Sequence, residues 1–308
     1  MARQAVVFPC MGLGDGLISL VLSHNLQLNG FEVTTFHPSL FQLQSWFPNL
    51  SIAPSPKEFI PYLNEAEAIF IFLEKSPRMQ QILSYALAHH GKKTTVLNPI
   101  ATANRDYPFW EQGQFDGTKS FVDNLYAFCK RKFPVTTKSN GITPPAYLRF
   151  RKEARRVLIH PTSSRPNKNW DKEKFITLAS ALKARGYRPE WLLSEKERKE
   201  WDAASFPAPL FDSLNTLAHY IYESGFLIGN DSGPGHLSSC LNIPTMTLFC
   251  NKKASLFWRP GWGQVTTLCP NPWVPNLKGI RLRDKFWQKW ISVERVLKTF
   301  EGSLIKNG

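Results

Sequence analysis

Three times along this chain of 308 residues, a short apolar run ends in a loop rich in glycine or hydroxyl side chains, and a segment with helical spacing follows at once. The sharpest instance is Phe226-Leu227-Ile228, then Gly229-Asn230-Asp231-Ser232-Gly233-Pro234-Gly235-His236, then Leu237-Ser238-Ser239-Cys240-Leu241. Such a series predicts strand, loop, helix. Its recurrence predicts parallel sheets covered on both faces, an α/β chain. The glycine turn leaves backbone N–H groups at a helix N-terminus, where the helix dipole favours an anion such as phosphate. Glycine also lets the anion approach the backbone closely. Asp231 and Ser232 can meet that ligand or merely cap the helix, so an ordinary capped β–α turn is the competing reading.

The second instance opens the chain. Ala5-Val6-Val7-Phe8 leads into Pro9-Cys10-Met11-Gly12-Leu13-Gly14-Asp15-Gly16 and then Leu17-Ile18-Ser19-Leu20-Val21-Leu22. The glycines lack the G-x-G-x-x-G spacing of a dinucleotide site, and no Gly-Lys-Ser/Thr follows as in a P-loop. Asp15 stands at the mouth of the predicted helix. It is either a cap or a catalytic carboxylate at the carboxyl end of the first strand, where open α/β sheets place their ligands. In the third instance, Val157-Leu158-Ile159 runs into His160-Pro161-Thr162-Ser163-Ser164-Arg165-Pro166-Asn167-Lys168-Asn169-Trp170, and a helical pattern follows through Ala179. Ser163, Ser164, Arg165 and Lys168 suit a diphosphate, although a solvated loop carries similar residues.

Together these segments resemble glycosyltransferase family 9, the ADP-heptose:lipopolysaccharide heptosyltransferases. The resemblance rests on Gly229-x-Asp231-Ser232-Gly233-Pro234-x-His236-Leu237 with Leu241-x-x-Pro244 and Thr247-Leu248-Phe249. It rests also on Ile159-His160-Pro161 with Lys168-x-Trp170-x-x-Glu173-x-Phe175, and on Gly12-x-Gly14-Asp15. It spans nearly the whole chain, is densest over 157–250 and is weak over 40–145. The chain has Pro161-Thr162 where the family usually has Pro-Gly, Trp170-Asp171 where Trp-Pro is common, and Phe249-Cys250 where Phe-Gly is common.

The resemblance implies the GT-B architecture, two Rossmann-like α/β domains facing a central cleft. Residues 1–140 would form the acceptor-side domain and 141–155 a linker. Residues 156–285 would form the nucleotide-sugar domain, and 286–308 a C-terminal helix crossing back to the first domain. The implied donor is ADP-heptose and the acceptor the lipopolysaccharide inner core. Asp15 would be the general base of an inverting transfer. Ser163, Ser164, Arg165, Lys168, Ser232 and Gly233 would hold the donor diphosphate. Asp231 would lie near the transferred sugar, with Gly14 and His236 shaping the loops. Glu195 or Glu197 would bind the ribose. No metal and no cofactor is expected.

The net charge of +14 gathers at Lys130-Arg131-Lys132, at Arg149-Arg151-Lys152-Arg155-Arg156 and at Lys278-Arg281-Arg283-Lys285. No nucleic-acid recognition motif accompanies it, so an anionic inner-membrane surface or a phosphorylated glycolipid is the expected partner. Arg283-Asp284-Lys285-Phe286-Trp287-Gln288-Lys289-Trp290 mixes cations and tryptophans like an interfacial helix, whereas Ile291 to Leu297 has the pattern of an amphipathic closing helix. The five cysteines are scattered without metal spacing and suggest free thiols in a reducing cytoplasm. The chain opens on a strand pattern, not on a signal-peptide pattern. Two alternatives stand beside the heptosyltransferase reading. One is the same fold with another nucleotide-sugar donor or a protein or glycan acceptor. The other is a non-catalytic protein binding a nucleotide sugar or nucleic acid.

Overall fold

The computed structural model describes residues 3–98, 115–201, 206–271, 273 and 282–305. Lys278 and Arg281 of the third basic cluster lie outside the described residues. The chain divides into two compact units, Met1–Pro145 and Ala146–Gly308.

In the first unit, β1 (Arg3–Phe8), β2 (Phe31–Phe36), β3 (Ser51–Ala53), β4 (Ala68–Phe72) and β5 (Thr94–Leu97) make a parallel sheet in the order β3-β2-β1-β4-β5. The connections carry α1 (Leu13–Leu28), α2 (Pro38–Phe41), α3 (Ile60–Glu65) and α4 (Pro77–His90), and α5 (Phe121–Lys132) follows. α1 lies against β2 and α5, which is why its apolar residues from Leu17 to Leu26 are buried on more than one face. Lys130, Arg131 and Lys132 occupy the last turn of α5, where cations complement the helix dipole.

The stretch after α5, rich in Pro, Thr and Ser, is stitched to α1. The Asn25 amide donates to the Thr137 carbonyl and accepts from the Thr137 N–H, both at 2.8 Å. Asn29 exchanges the same pair of bonds with Val135 at 2.7 and 3.2 Å. Asn140 donates to the Leu17 carbonyl, and the Thr143 N–H to that of Trp46. By Tyr147 the chain is attached to the second unit, through a hydroxyl contact with His219 at 3.2 Å.

In the second unit, β6 (Glu153–His160), β7 (Arg188–Trp191), β8 (Ser224–Asn230), β9 (Thr245–Leu248) and β10 (Val265–Leu268) form a parallel sheet in the order β10-β9-β8-β6-β7. β6 begins at Glu153, inside the stretch 141–155 expected as linker. Around the sheet lie α6 (Lys172–Ala184), α7 (Glu195–Arg198), α8 (Leu214–Tyr222), α9 (Gly233–Cys240) and α10 (Lys252–Phe257). They are followed by α11 (Leu282–Lys285) and α12 (Val293–Ile305), with a 3-10 turn Trp287–Trp290 between these two. All seven residues of β8 are buried, as expected of a central parallel strand.

The C-terminal segment packs into the core of the second unit. Trp287, Ile291, Val296 and Phe300 join the core that contains Ile159, Phe175 and Phe226. The Trp170 indole donates to the Ile291 carbonyl, and the Trp287 indole to that of Asn167. Among the described residues, no helix is long and apolar enough to cross a membrane.

Both sheets reverse direction of strand addition, the first between β1 and β4 and the second between β6 and β8. Doubly wound sheets bind ligands outside the strand carboxyl ends at such points.

Candidate functional site

In the second unit, the motif glycine Gly229 faces His160 across the β6–β8 ladder. A Cβ on Gly229 would lie 2.6 Å from the His160 carbonyl oxygen, so only glycine lets the two strand ends close together. Asn230 then ties the loops. Its side-chain oxygen accepts the Trp170 N–H at 3.0 Å, and its amide donates to the Pro161 carbonyl at 2.6 Å. This closure brings Lys168, on the 3-10 turn Pro166–Lys168, across the reversal point to Asp231. The Lys168 Nζ sits 2.7 Å from Asp231 Oδ2. The sequence assigns these two residues to different groups of a ligand; the structure pairs them with each other.

Ser232 occupies the N-cap position of α9 without capping it. Its hydroxyl turns back to the Asn230 carbonyl at 3.1 Å. Elsewhere Ser76, Ser120, Asp171, Ser213 and Asn251 each cap their helices with a side-chain oxygen. α9 therefore keeps first-turn N–H groups, starting from Gly233, without a side-chain cap. His236, one turn in, is buried. Burial lowers its pKa below the usual histidine value; the Asp231 charge opposes that effect and Lys168 reinforces it. Its Nδ1 atom has no hydrogen-bond partner.

The flanking residues differ in how far their own loops engage them. Ser163 donates to Asn169 Oδ1 at 2.7 Å and to the Arg165 carbonyl, so its hydroxyl shapes the loop. Ser164 and Arg165 are exposed. His160 donates from Nδ1 to the Leu192 carbonyl at 2.7 Å, and burial lowers its pKa against the pull of that bond and of Glu197. Glu197 closes a capping box with Ser194. Burial would raise its pKa, but the Ser194 and Thr162 hydroxyls and the His160 ring outweigh it, and the net shift is downward. Glu195, at the first position of α7, is exposed.

In the first unit, Asp15 lies in the first turn of α1, whose N-cap is Gly12 and has no side-chain cap. Gly14 is buried in the same turn. Across the β1–β4 reversal point, Glu74 accepts the Met11 N–H at 2.7 Å. His37, after β2, braces the loop from the other side. Its Nδ1 accepts the Leu40 N–H at 3.2 Å and its Nε2 donates to the Gly12 carbonyl at 3.3 Å. Burial lowers its pKa, in keeping with a neutral ring holding both bonds. A Cβ on Gly16 would fall 2.7 Å from that ring, so this glycine at the start of α1 makes room for His37. The Cys10 thiol is pushed up by burial, then by Asp15 and Glu74, which keeps it protonated and rules against a nucleophile. A cavity of about 210 Å³ beside the loop is lined by Phe8, Pro9, Met11, Phe36, Ser76 and Met79, among others.

His37, Glu74 and Asn230 carry no motif and were not singled out from the sequence. Asn230 had one signal, a polar residue locked between Gly229 and Asp231 at a strand end. Among the described residues, no three His, Cys, Asp or Glu side chains gather as a metal site.

The chain has known relatives. The model of glycosyltransferase family 9 (heptosyltransferase) matches residues 129–281. Lipopolysaccharide heptosyltransferase 1 of Campylobacter coli is 30% identical over 152 residues, 43% of this chain and 44% of that protein. The match thus spans less than half the length of that relative. The crystal structure of a family 9 glycosyl transferase from Veillonella parvula superposes with a TM-score of 0.72 at 19% identity, covering 99% of this chain and 98% of the other. An E. coli heptosyltransferase with ADP-2-deoxy-2-fluoro heptose gives a TM-score of 0.64 at 13% identity, covering 97% and 99%. Two parallel α/β domains with this likeness define a GT-B protein. Within that class, the chain belongs to glycosyltransferase family 9.

Proposed function

We propose that this chain is an inverting glycosyltransferase that moves a heptose from ADP-heptose to a hydroxyl of the lipopolysaccharide inner core. The observation that carries the reading is the pairing of Lys168 with Asp231 beside the N-terminus of α9, which no side chain caps. A cation and backbone amides gathered at a strand reversal suit a diphosphate, the group that gains charge as the sugar bond breaks. The donor named for the E. coli structural neighbour and the activity named for the C. coli relative support the choice of sugar and acceptor.

On this reading, the diphosphate docks on the Ser232–Gly233 turn and takes the Lys168 ammonium as a charge-assisted partner. Asp231, relieved of sole pairing with Lys168, faces the transferred sugar. Ser164 and Arg165 are exposed and free to close over the phosphates. Glu195 takes the ribose hydroxyls, since the Glu197 carboxylate closes its own capping box. Asp15 accepts the proton from the acceptor hydroxyl as that oxygen attacks the anomeric carbon, and direct attack inverts its configuration. The cavity beside the Asp15 loop offers aromatic faces to a sugar acceptor. The reading puts the enzyme at the cytoplasmic face of an inner membrane.

Calorimetric titration with ADP-heptose, ADP, UDP and UDP-glucose tests the donor. Selective binding of the two adenine compounds is expected. Preference for the uridine compounds would replace the donor, and no binding to any of the four would remove the transferase reading.

A further inference from the structure

The C-terminal segment carries apolar side chains that the fold buries and others that it leaves partly exposed. Trp287 and Ile291 are buried in the core of the second unit. Leu282, Phe286 and Trp290 recur every fourth residue and are 41%, 36% and 42% exposed. Lys285 and Lys289 are also exposed. Both ammonium groups flank one ring: Lys285 Nζ lies 5.4 Å and Lys289 Nζ 5.3 Å from the Phe286 centroid. The segment cannot roll to hide these side chains. The Trp287 indole is held by the Asn167 carbonyl at 2.9 Å, and Lys174 holds the carbonyls of Gln288 and Ile291 at 2.6 and 3.1 Å.

Lysines interleaved with exposed aromatics fit poorly with a protein partner, because lysine is depleted from the cores of protein interfaces. They fit the headgroup layer of a bilayer. There, tryptophan and phenylalanine enter the boundary while lysine stems lie along it and their ammonium groups reach the lipid phosphates. The net charge of +14 supplies long-range attraction to an anionic leaflet. We propose that Leu282, Lys285, Phe286, Lys289 and Trp290 form a docking edge that seats the second unit on an anionic lipid bilayer. The edge would hold the protein at the surface on which a lipid-anchored acceptor is presented. It involves none of the residues assigned to donor or base, so it stands or falls independently of the transferase reading.

Flotation of the full chain with vesicles tests it. One set is pure phosphatidylcholine, and the other contains a quarter phosphatidylglycerol. The wild-type protein is expected to float with the anionic vesicles and to be released by high salt. Lys285→Glu with Lys289→Glu should lower the bound fraction roughly tenfold or more. Phe286→Ser with Trp290→Ser should lower it by a similar factor at every salt concentration. The melting temperature of the lysine pair should stay at the wild-type value, because Lys285 and Lys289 are exposed. If the aromatic pair fails to fold, the lysine pair still decides the matter. Three results would overturn the proposal: no flotation of the wild type, undiminished flotation of both variants, or self-association that Trp290→Ser abolishes while flotation persists.

Discussion

The two strand reversals have the same place in their sheets and opposite chemistry. In the second unit, a lysine on the loop after β6 meets the aspartate that follows β8, and the next helix offers uncapped amides. In the first unit, two acids, Asp15 and Glu74, flank a backbone loop, and a neutral histidine holds the loop from behind. The first arrangement suits an anion and the second a proton acceptor, as the proposed reading requires. On the proposed reading, one topology serves a leaving group in one domain and a nucleophile in the other. The side chains placed at the reversal, and not the fold, would separate the two tasks.

Asp15→Asn should produce the largest effect. Turnover is expected to fall roughly a hundred- to ten-thousandfold with donor affinity unchanged, measured by single-turnover transfer and by calorimetry. Normal turnover would erase the division of labour. Lys168→Ala should act on the other side. Donor affinity is expected to drop about tenfold and transfer to slow as well, with Asp231 left without its lysine. Equal donor affinity in the variant and the wild type would make Lys168 a surface cation and nothing more.

The two loop braces give a sharper comparison. His37→Asn retains a residue that caps α2 but cannot span to the Gly12 carbonyl. It should lower kcat roughly tenfold while leaving the donor KM unchanged. Asn230→Ala leaves the Trp170 N–H and the Pro161 carbonyl without partners, and the melting temperature should fall by roughly 5 °C or more. If the first variant lost stability without kcat, His37 would be a packing residue only.

The smallest effect is a pH gradient of stability. Burial lowers the pKa values of His37, His160 and His236. As pH falls below about 6.5, the unfolded chain takes up protons that these buried rings refuse, so folded stability declines. Melting temperatures should be level above about pH 7 and drop toward pH 5. Two of the three rings belong to the second unit, which should therefore lose stability first. A profile flat over that range would contradict the burial argument.

The second unit was largely legible because its determinants are local. Apolar run, glycine turn and helix follow one another within a few residues, and Lys168 and Asp231 stand in recognisable motifs. Their mutual contact was not legible, since it depends on Gly229 allowing β8 to close on β6. The first unit was less open to reading. Glu74 and His37 reach the Asp15 loop from β4 and β2, and no spacing in the sequence announces a contact made across a sheet. The C-terminal segment shows both sides of the matter. Its alternation of cations and tryptophans was visible, but only the structure separates Trp287, which is buried, from Trp290, which is exposed.

The stitching of residues 135–143 to the first unit has a mechanical consequence. The chain is tied to the first unit through Thr143, and Tyr147 meets His219 of the second, with Pro144, Pro145 and Ala146 in between. Two of these three carry a fixed φ. A stretch whose composition suggests a loose tether is thus pinned to the first unit along most of its length. An engineered insertion should be tolerated between Pro145 and Tyr147, yet the same insertion at Thr137 would pull at Asn25, on the helix that begins with Asp15.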